Sequence, residues 1–145
     1  MMPSTPQILE WGSKQQVQSI GLRYEVLRKP LGLFFATDEL SEEVDQWHIG
    51  MINGDRVVAV LLLKKMNDRI AKMRQVAVDE TLQGKGIGKE LVQFSEEFCR
   101  RQGLELIELH ARKTAVPFYL SLGYSLIGDE FEEVGIPHIK MALQL

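Results

Sequence analysis

Gln83-Gly84-Lys85-Gly86-Ile87-Gly88 stands between an apolar run, Met73-Arg74-Gln75-Val76-Ala77-Val78, and a stretch over 89–101 with apolar residues at helical spacing. Glycines at alternate positions let the backbone turn and approach a ligand without an obstructing Cβ. At the mouth of a helix they gather N–H groups that lack intrahelical acceptors, beside the positive end of the helix dipole. The passage reads as strand, phosphate cradle and helix. With the apolar run over 104–109 it predicts a β-α-β unit, whose strands pair in parallel through a right-handed crossover.

Two phosphate-binding patterns fail on particular residues. A dinucleotide fingerprint asks for Gly-x-Gly-x-x-Gly early in the chain; Gly84 and Gly86 fit, but the last position is Lys89, and strand-like runs precede it. A triphosphate loop asks for Gly-Lys-Ser/Thr; Gly88-Lys89 is followed by Glu90, which supplies no hydroxyl for Mg²⁺.

Outward from this unit, the spacing of Val17, Ile20, Tyr24 and Leu27 predicts a helix over 14–28, capped by Ser13 and ended by Pro30 and Gly32. Residues 8–11 read as a short first strand, and the acidic stretch 38–44 as a helical turn. Runs over 47–52 and 57–63 read as strands joined by Asn53-Gly54-Asp55, a hairpin signal. A second turn at Asn67-Asp68 leads into a strand over 69–78. Ile87, Leu91, Phe94 and Phe98 predict the buried stripe of the next helix, closed by Gly103. Residues 114–122 read as helical, 124–127 and 138–143 as the last strands. The fold class is mixed α/β: an antiparallel strand meander, a β-α-β unit and two C-terminal strands, in a single domain over 1–145.

Of the 145 residues, 45% are hydrophobic and 26% charged, and the net charge is −3. This composition suits a globular chain with a core and gives no broad attraction for nucleic acid. No apolar stretch approaches the roughly 20 residues of a membrane span. The first residues, Met1-Met2-Pro3-Ser4-Thr5-Pro6, carry no basic and apolar signal pattern. A cytoplasmic location, without membrane or nucleic-acid partners, is the expectation. Cys99 is alone, so no intrachain disulfide forms; within an amphipathic helix it reads as a buried, inert thiol.

Gln83, Gly86 and Gly88 also satisfy Gln/Arg-x-x-Gly-x-Gly/Ala, four residues after Val76-Ala77-Val78. Downstream stands Ala115-Val116-Pro117-Phe118-Tyr119-Leu120-Ser121-Leu122-Gly123-Tyr124. On these residues, and on the order of elements, the chain resembles the Gcn5-related N-acetyltransferase (GNAT) superfamily. Phe131-Glu132-Glu133-Val134-Gly135-Ile136-Pro137-His138 is similar to the tail of a subgroup that includes the ElaA-like proteins.

The resemblance implies acetyl-CoA as co-substrate, with no metal, and an amine of a small molecule or protein as acceptor, acetylated by direct transfer. It implies that Gln83, Gly84, Lys85, Gly86, Ile87, Gly88 and Lys89 hold the pyrophosphate, and that Val76, Ala77 and Val78 form the pantetheine track. The Val76 N–H would face the thioester carbonyl, where such a donor stabilises an oxyanion by about 3–4 kcal/mol. Tyr119 aligns with a tyrosine that protonates the leaving thiolate, an acid of suitable reference pKa. Tyr124 reads as core. Two positions depart from the family. A glutamate common four residues before Val76 is Lys72 here, and an asparagine common three before Ala115 is Arg112. The base is therefore sought among His110, Glu132, Glu133 and His138, with His138 and Glu133 favoured. The acidic residues Asp38, Glu39, Glu42, Glu43 and Asp45 read either as an entrance for a cationic acceptor or as a solvated face. A non-catalytic acetyl-CoA sensor is the alternative function, and a homodimer is open.

Overall fold

The computed structural model describes residues 3–145. Met1 and Met2, part of the stretch read for a targeting signal, lie outside the described residues. Seven strands form one sheet in the order β1-β2-β3-β4-β5-β7-β6. These are β1 (Gln7–Ile8), β2 (Trp47–Asn53), β3 (Arg56–Lys65), β4 (Ile70–Val78), β5 (Leu106–Arg112), β6 (Ser125–Glu133) and β7 (Ile136–Gln144). The chain divides into two compact units, and β4 contributes to both. No helix among the described residues is long and apolar enough to cross a membrane.

The first unit holds the residues up to Lys64 together with Gln75–Ser95. β1, β2 and β3 run antiparallel, and the Asn53↔Arg56 pair leaves Gly54-Asp55 as the two-residue turn. Its core gathers Leu9, Val57, Val60, Leu62 and Ala77, with Leu22, Val26, Leu27 and Ile52 packed against it. The helix α1 (Lys14–Arg23) starts where the Ser13 hydroxyl accepts the Gln16 N–H at 3.1 Å. It continues into a π turn, Tyr24–Arg28, then a 3-10 turn, Lys29–Leu31, and stops at Gly32.

The buried face of α1 differs from the apolar spacing. Val17 is 57% exposed, whereas Gln16, Ser19 and Arg23 are buried. Arg23 makes this tolerable by donating twice to Glu43, at 3.0 and 2.8 Å, because a buried charge persists when it is paired and hydrogen-bonded. Two guanidinium groups lie over the Phe35 ring, that of Arg23 4.8 Å and that of Arg28 4.3 Å from its centroid. Glu39, within the short α2 (Thr37–Ser41), pairs with Arg28 at 2.7 Å. Part of the acidic stretch is thus engaged inside the fold rather than presented to solvent.

The second unit holds Lys65–Arg74 and Glu96–Leu145. The parallel pairing expected of the β-α-β unit is present from Ile70↔Leu106 to Met73↔Leu109. Asn67 makes the preceding turn, its side-chain oxygen accepting from the Arg69 and Ile70 N–H groups at 2.9 Å. β7 pairs antiparallel with both β5 and β6. The last two strands are longer than the sequence suggested. The residues Val134 and Gly135, with φ of 47° and 76°, make a tight turn between Glu133 and Ile136. Both have the positive φ that two-residue hairpin turns demand.

The helix α3 (Ile87–Arg101) begins at the glycine turn and ends at Gly103. Its buried stripe is Ile87, Leu91, Val92, Ser95 and Cys99, rotated from the one expected through Phe94 and Phe98. The small Ser95 and Cys99 allow close packing, and Ser95 returns its hydroxyl proton to the Leu91 carbonyl at 2.9 Å. The short α4 (Val116–Ser121) has Pro117 in its first turn, where its missing N–H costs nothing.

Candidate functional site

In the first unit, β4 delivers the chain to the glycine turn through a fastened loop. The Asp79 N–H donates to the Val58 carbonyl at 2.8 Å. Its carboxylate accepts from the Thr81 hydroxyl at 2.6 Å and the Thr81 N–H at 3.0 Å, and forms an ion pair with Arg56. These contacts, the Thr81 hydroxyl foremost, hold the Asp79 carboxyl below its usual range. After a 3-10 turn over Glu80–Leu82, Gln83 reaches back and donates to the Val78 carbonyl at 3.0 Å. The Gln83 side chain therefore braces the turn instead of pointing out of it. It occupies one of the two lone pairs of the carbonyl on the expected pantetheine track.

Gly84 and Gly86 follow with φ of 79° and 83°. A Cβ on either would meet no atom of the chain within 4 Å. The first helical bond of α3 runs from the Glu90 N–H to the Gly86 carbonyl at 3.1 Å. The N–H groups of Ile87, Gly88 and Lys89 thus lack an acceptor within the helix. Lys85 and Lys89 are exposed beside them. Open space, helix N–H groups and two ammonium groups together fit an anionic ligand of diphosphate type. Ala77 faces the core at 2% exposure, while Val76 and Val78 on the other face are only partly covered.

In the second unit, Tyr119 lies on α4 and is 7% exposed. Its ring meets Phe118 edge-on at 5.0 Å and Tyr124 at 5.5 Å. Burial pushes the Tyr119 phenol up to about 12. Tyr124 is pinned by its hydroxyl, which donates to Glu96 on α3 at 3.0 Å. Burial raises the Glu96 carboxyl, and burial followed by the Glu96 charge raises Tyr124. Sequence reading missed Glu96; the available signal was a carboxylate on the same helical face as Val92 and Cys99. Cys99 is fully buried and its thiol is pushed up to about 12, chiefly by burial. This is an inert environment.

The strands β5, β6 and β7 bring three of the proton-accepting candidates together. Along β5, Ile107, Leu109 and Ala111 are buried, leaving Glu108, His110 and Arg112 on the other face. His110 Nδ1 lies 3.1 Å from Glu133 Oε1, and His138 Nε2 lies 3.6 Å from Glu133 Oε2. Phe131 sits between the imidazoles, edge-on to His110 at 5.0 Å and stacked on His138 at 6.1 Å. His138 is 4% exposed, and its Nδ1–H donates to the Ile136 carbonyl at 2.9 Å. Glu132 alternates away, opposite Pro137. The expected residues therefore divide into Val76 to Lys89 in one unit and Tyr119, Glu133 and His138 in the other. Among the described residues, no group of three or more His, Cys, Asp or Glu is disposed to hold a metal ion.

Known proteins resemble this chain in sequence and in fold. The acetyltransferase (GNAT) domain family matches residues 15–145. YyaT of Bacillus subtilis, an uncharacterized protein, is 35% identical over 75 residues. That match covers 52% of this chain, which spans about half the length of that relative (51%). ElaA of Escherichia coli is 31% identical over 104 residues, 70% of this chain and 68% of ElaA. Its crystal structure superposes with a TM-score of 0.80 at 26% identity, covering 97% of this chain and 99% of ElaA. An aminoglycoside 6'-N-acetyltransferase complexed with coenzyme A has the same fold, with a TM-score of 0.79, 16% identity and 97% of each chain covered. By its residues, its strand order and these likenesses, the chain belongs to the GNAT family of N-acetyltransferases.

Proposed function

We propose that the protein transfers the acetyl group of acetyl-CoA directly to a primary amine, as one N-acetyltransferase domain. The observation that carries this reading is the cradle at Gly84–Lys89, where Gly84 and Gly86 leave open space before the first turn of α3. The CoA diphosphate would lie against those N–H groups and Lys85 and Lys89, and the pantetheine along Val76 to Val78. The Val76 N–H would meet the oxyanion that forms when the amine attacks the thioester carbon. The matched family domain spans both compact units, in keeping with one domain. The acceptor is an amine of a small molecule or of a protein, met in the cytoplasm.

On collapse of the adduct the C–S bond breaks and the thiolate takes a proton from the Tyr119 phenol. Burial keeps that phenol protonated throughout the neutral range, so the donor form is always present. The phenolate then recovers a proton from the new amide nitrogen. The ammonium form of the acceptor must first lose a proton, and the His110–Glu133–His138 cluster is the place for it.

Calorimetric titration with acetyl-CoA, followed by thiol release across polyamines, aminoglycosides and peptides, tests the proposal. Binding and turnover are expected. Binding without turnover would make the protein a sensor, and no binding at millimolar acetyl-CoA would end both readings. Tyr119→Phe is expected to lower kcat at least about tenfold with acetyl-CoA affinity retained; an unchanged kcat removes Tyr119 from the acid role.

A further inference from the structure

We infer that the proton-accepting atom of this cluster is Nε2 of His110, held in place by Glu133, and that His138 is not the base. The inference rests on the acetyl-transfer reading and names the base within it. His138 was the favoured base on sequence, but its geometry points inward. Its ring is 4% exposed under Phe131, Nδ1–H is committed to the Ile136 carbonyl, and Nε2 faces the Glu133 carboxylate. Neither nitrogen is turned toward a substrate.

His110 has the opposite arrangement. An ionised carboxylate only accepts hydrogen bonds, so the 3.1 Å contact to Glu133 places the proton of neutral His110 on Nδ1. The lone pair is then on Nε2, which has no hydrogen-bond partner among the described residues. The His110 side chain is about 30% exposed and the Glu133 side chain 44% exposed. A carboxylate that fixes the tautomer and leaves Nε2 free is the arrangement of histidine bases in hydrolytic triads. Phe131 against the ring edge at 5.0 Å restricts its rotation.

Other charged groups are paired nearby. On β5 and β7, Glu108 pairs with Lys140 at 3.1 Å, and Lys140 lies opposite His110 in the ladder. Arg112 stands opposite His138. Lys113 pairs with Glu130 of β6 at 3.3 Å.

The protons balance. The acceptor ammonium gives one proton to His110 Nε2, forming the imidazolium, and the free amine attacks the thioester. The proton leaves the exposed imidazolium for water, as the single proton that amide formation from an ammonium and a thioester releases. The second amine proton replaces the one that Tyr119 gives to sulfur.

Histidine-selective ¹⁵N spectra of the unliganded protein provide the first test. Neutral His110 is expected as the Nδ1–H tautomer, shifting to a mixture in Glu133→Gln; an Nε2–H tautomer in the unaltered protein overturns the assignment. The second test uses the best amine of the thiol-release panel. His110→Gln is expected to lower kcat/KM by about 10²-fold or more, to abolish the acidic limb of its pH profile, and to bind acetyl-CoA normally. Imidazole in the buffer should restore part of the activity of His110→Ala. His138→Gln should lose less and keep the limb. Full activity in His110→Gln overturns this inference while leaving acetyl transfer standing. Absence of turnover in the unaltered protein removes acetyl transfer and the base with it.

Discussion

His48 shows how one buried side chain ties stability to pH. It is 2% exposed, its Nε2 contacts the Glu43 carbonyl at 2.9 Å, and its Nδ1 is buried without a partner. Burial is the largest influence and lowers its pKa from 6.5, against the contrary pull of the Glu43 carbonyl and charge. The folded state therefore prefers neutral imidazole, and the unfolded chain binds a proton more readily. Stability is fully present above the unfolded pKa and declines as pH falls from about 6.5 toward the lowered folded value. Urea unfolding between pH 7.5 and 5 should show this decline, and His48→Gln should flatten it. An equal slope in that variant would assign the effect to other groups.

Helix α1 illustrates a choice between apolar and polar burial. Arg23 is wholly buried and Glu43 nearly so, joined by two hydrogen bonds. Removing one partner strands the other charge in the interior. Arg23→Met is expected to cost about 3–5 kcal/mol in urea unfolding, and adding Glu43→Leu should recover most of it. A loss below about 1 kcal/mol, the range of surface pairs, would mean that water reaches Glu43. This pair also marks the limit of sequence reading. Ser13, Gly32, Gly54, Asn67 and Gly103 were legible because capping and turning are local acts of one or two residues. The parallel β4–β5 pair was legible because the cradle announced it. The buried face of α1 was not, because Arg23 owes its burial to Glu43, a partner outside the helix. The cluster of His110, Glu133 and His138 was legible as residue types. The inward turn of His138 depends on strand register across β5, β7 and β6, which periodicity does not encode. Gln83 likewise matched a motif, while its fold-back onto the Val78 carbonyl is a contact that no motif encodes.

The chain as a body is acidic, yet its proposed donor carries several phosphate charges. At net charge −3, long-range electrostatics repel acetyl-CoA. Attraction arises locally, from the first turn of α3 and from exposed Lys85 and Lys89. Salt separates the two, since charges further apart than the Debye length, about 10 Å at 0.1 M, are screened together with weaker contacts between exposed groups. In the unaltered protein the short-range attraction should dominate, so the acetyl-CoA Kd should weaken as salt rises from 0.05 to 0.5 M. Replacing Lys85 and Lys89 by Gln removes two positive charges and takes the net charge from −3 to −5. What remains is the fixed dipole of the helix mouth against a more repulsive background. The double variant should bind acetyl-CoA more weakly at low salt and lose the salt dependence, or invert it as screening relieves the repulsion. Each lysine replaced alone should give an intermediate slope. If calorimetry finds the original slope in the double variant, the diphosphate is held away from both lysines. The cradle would then work through backbone N–H groups alone, and Gly86→Val, strained at a φ of 83°, would become the decisive substitution.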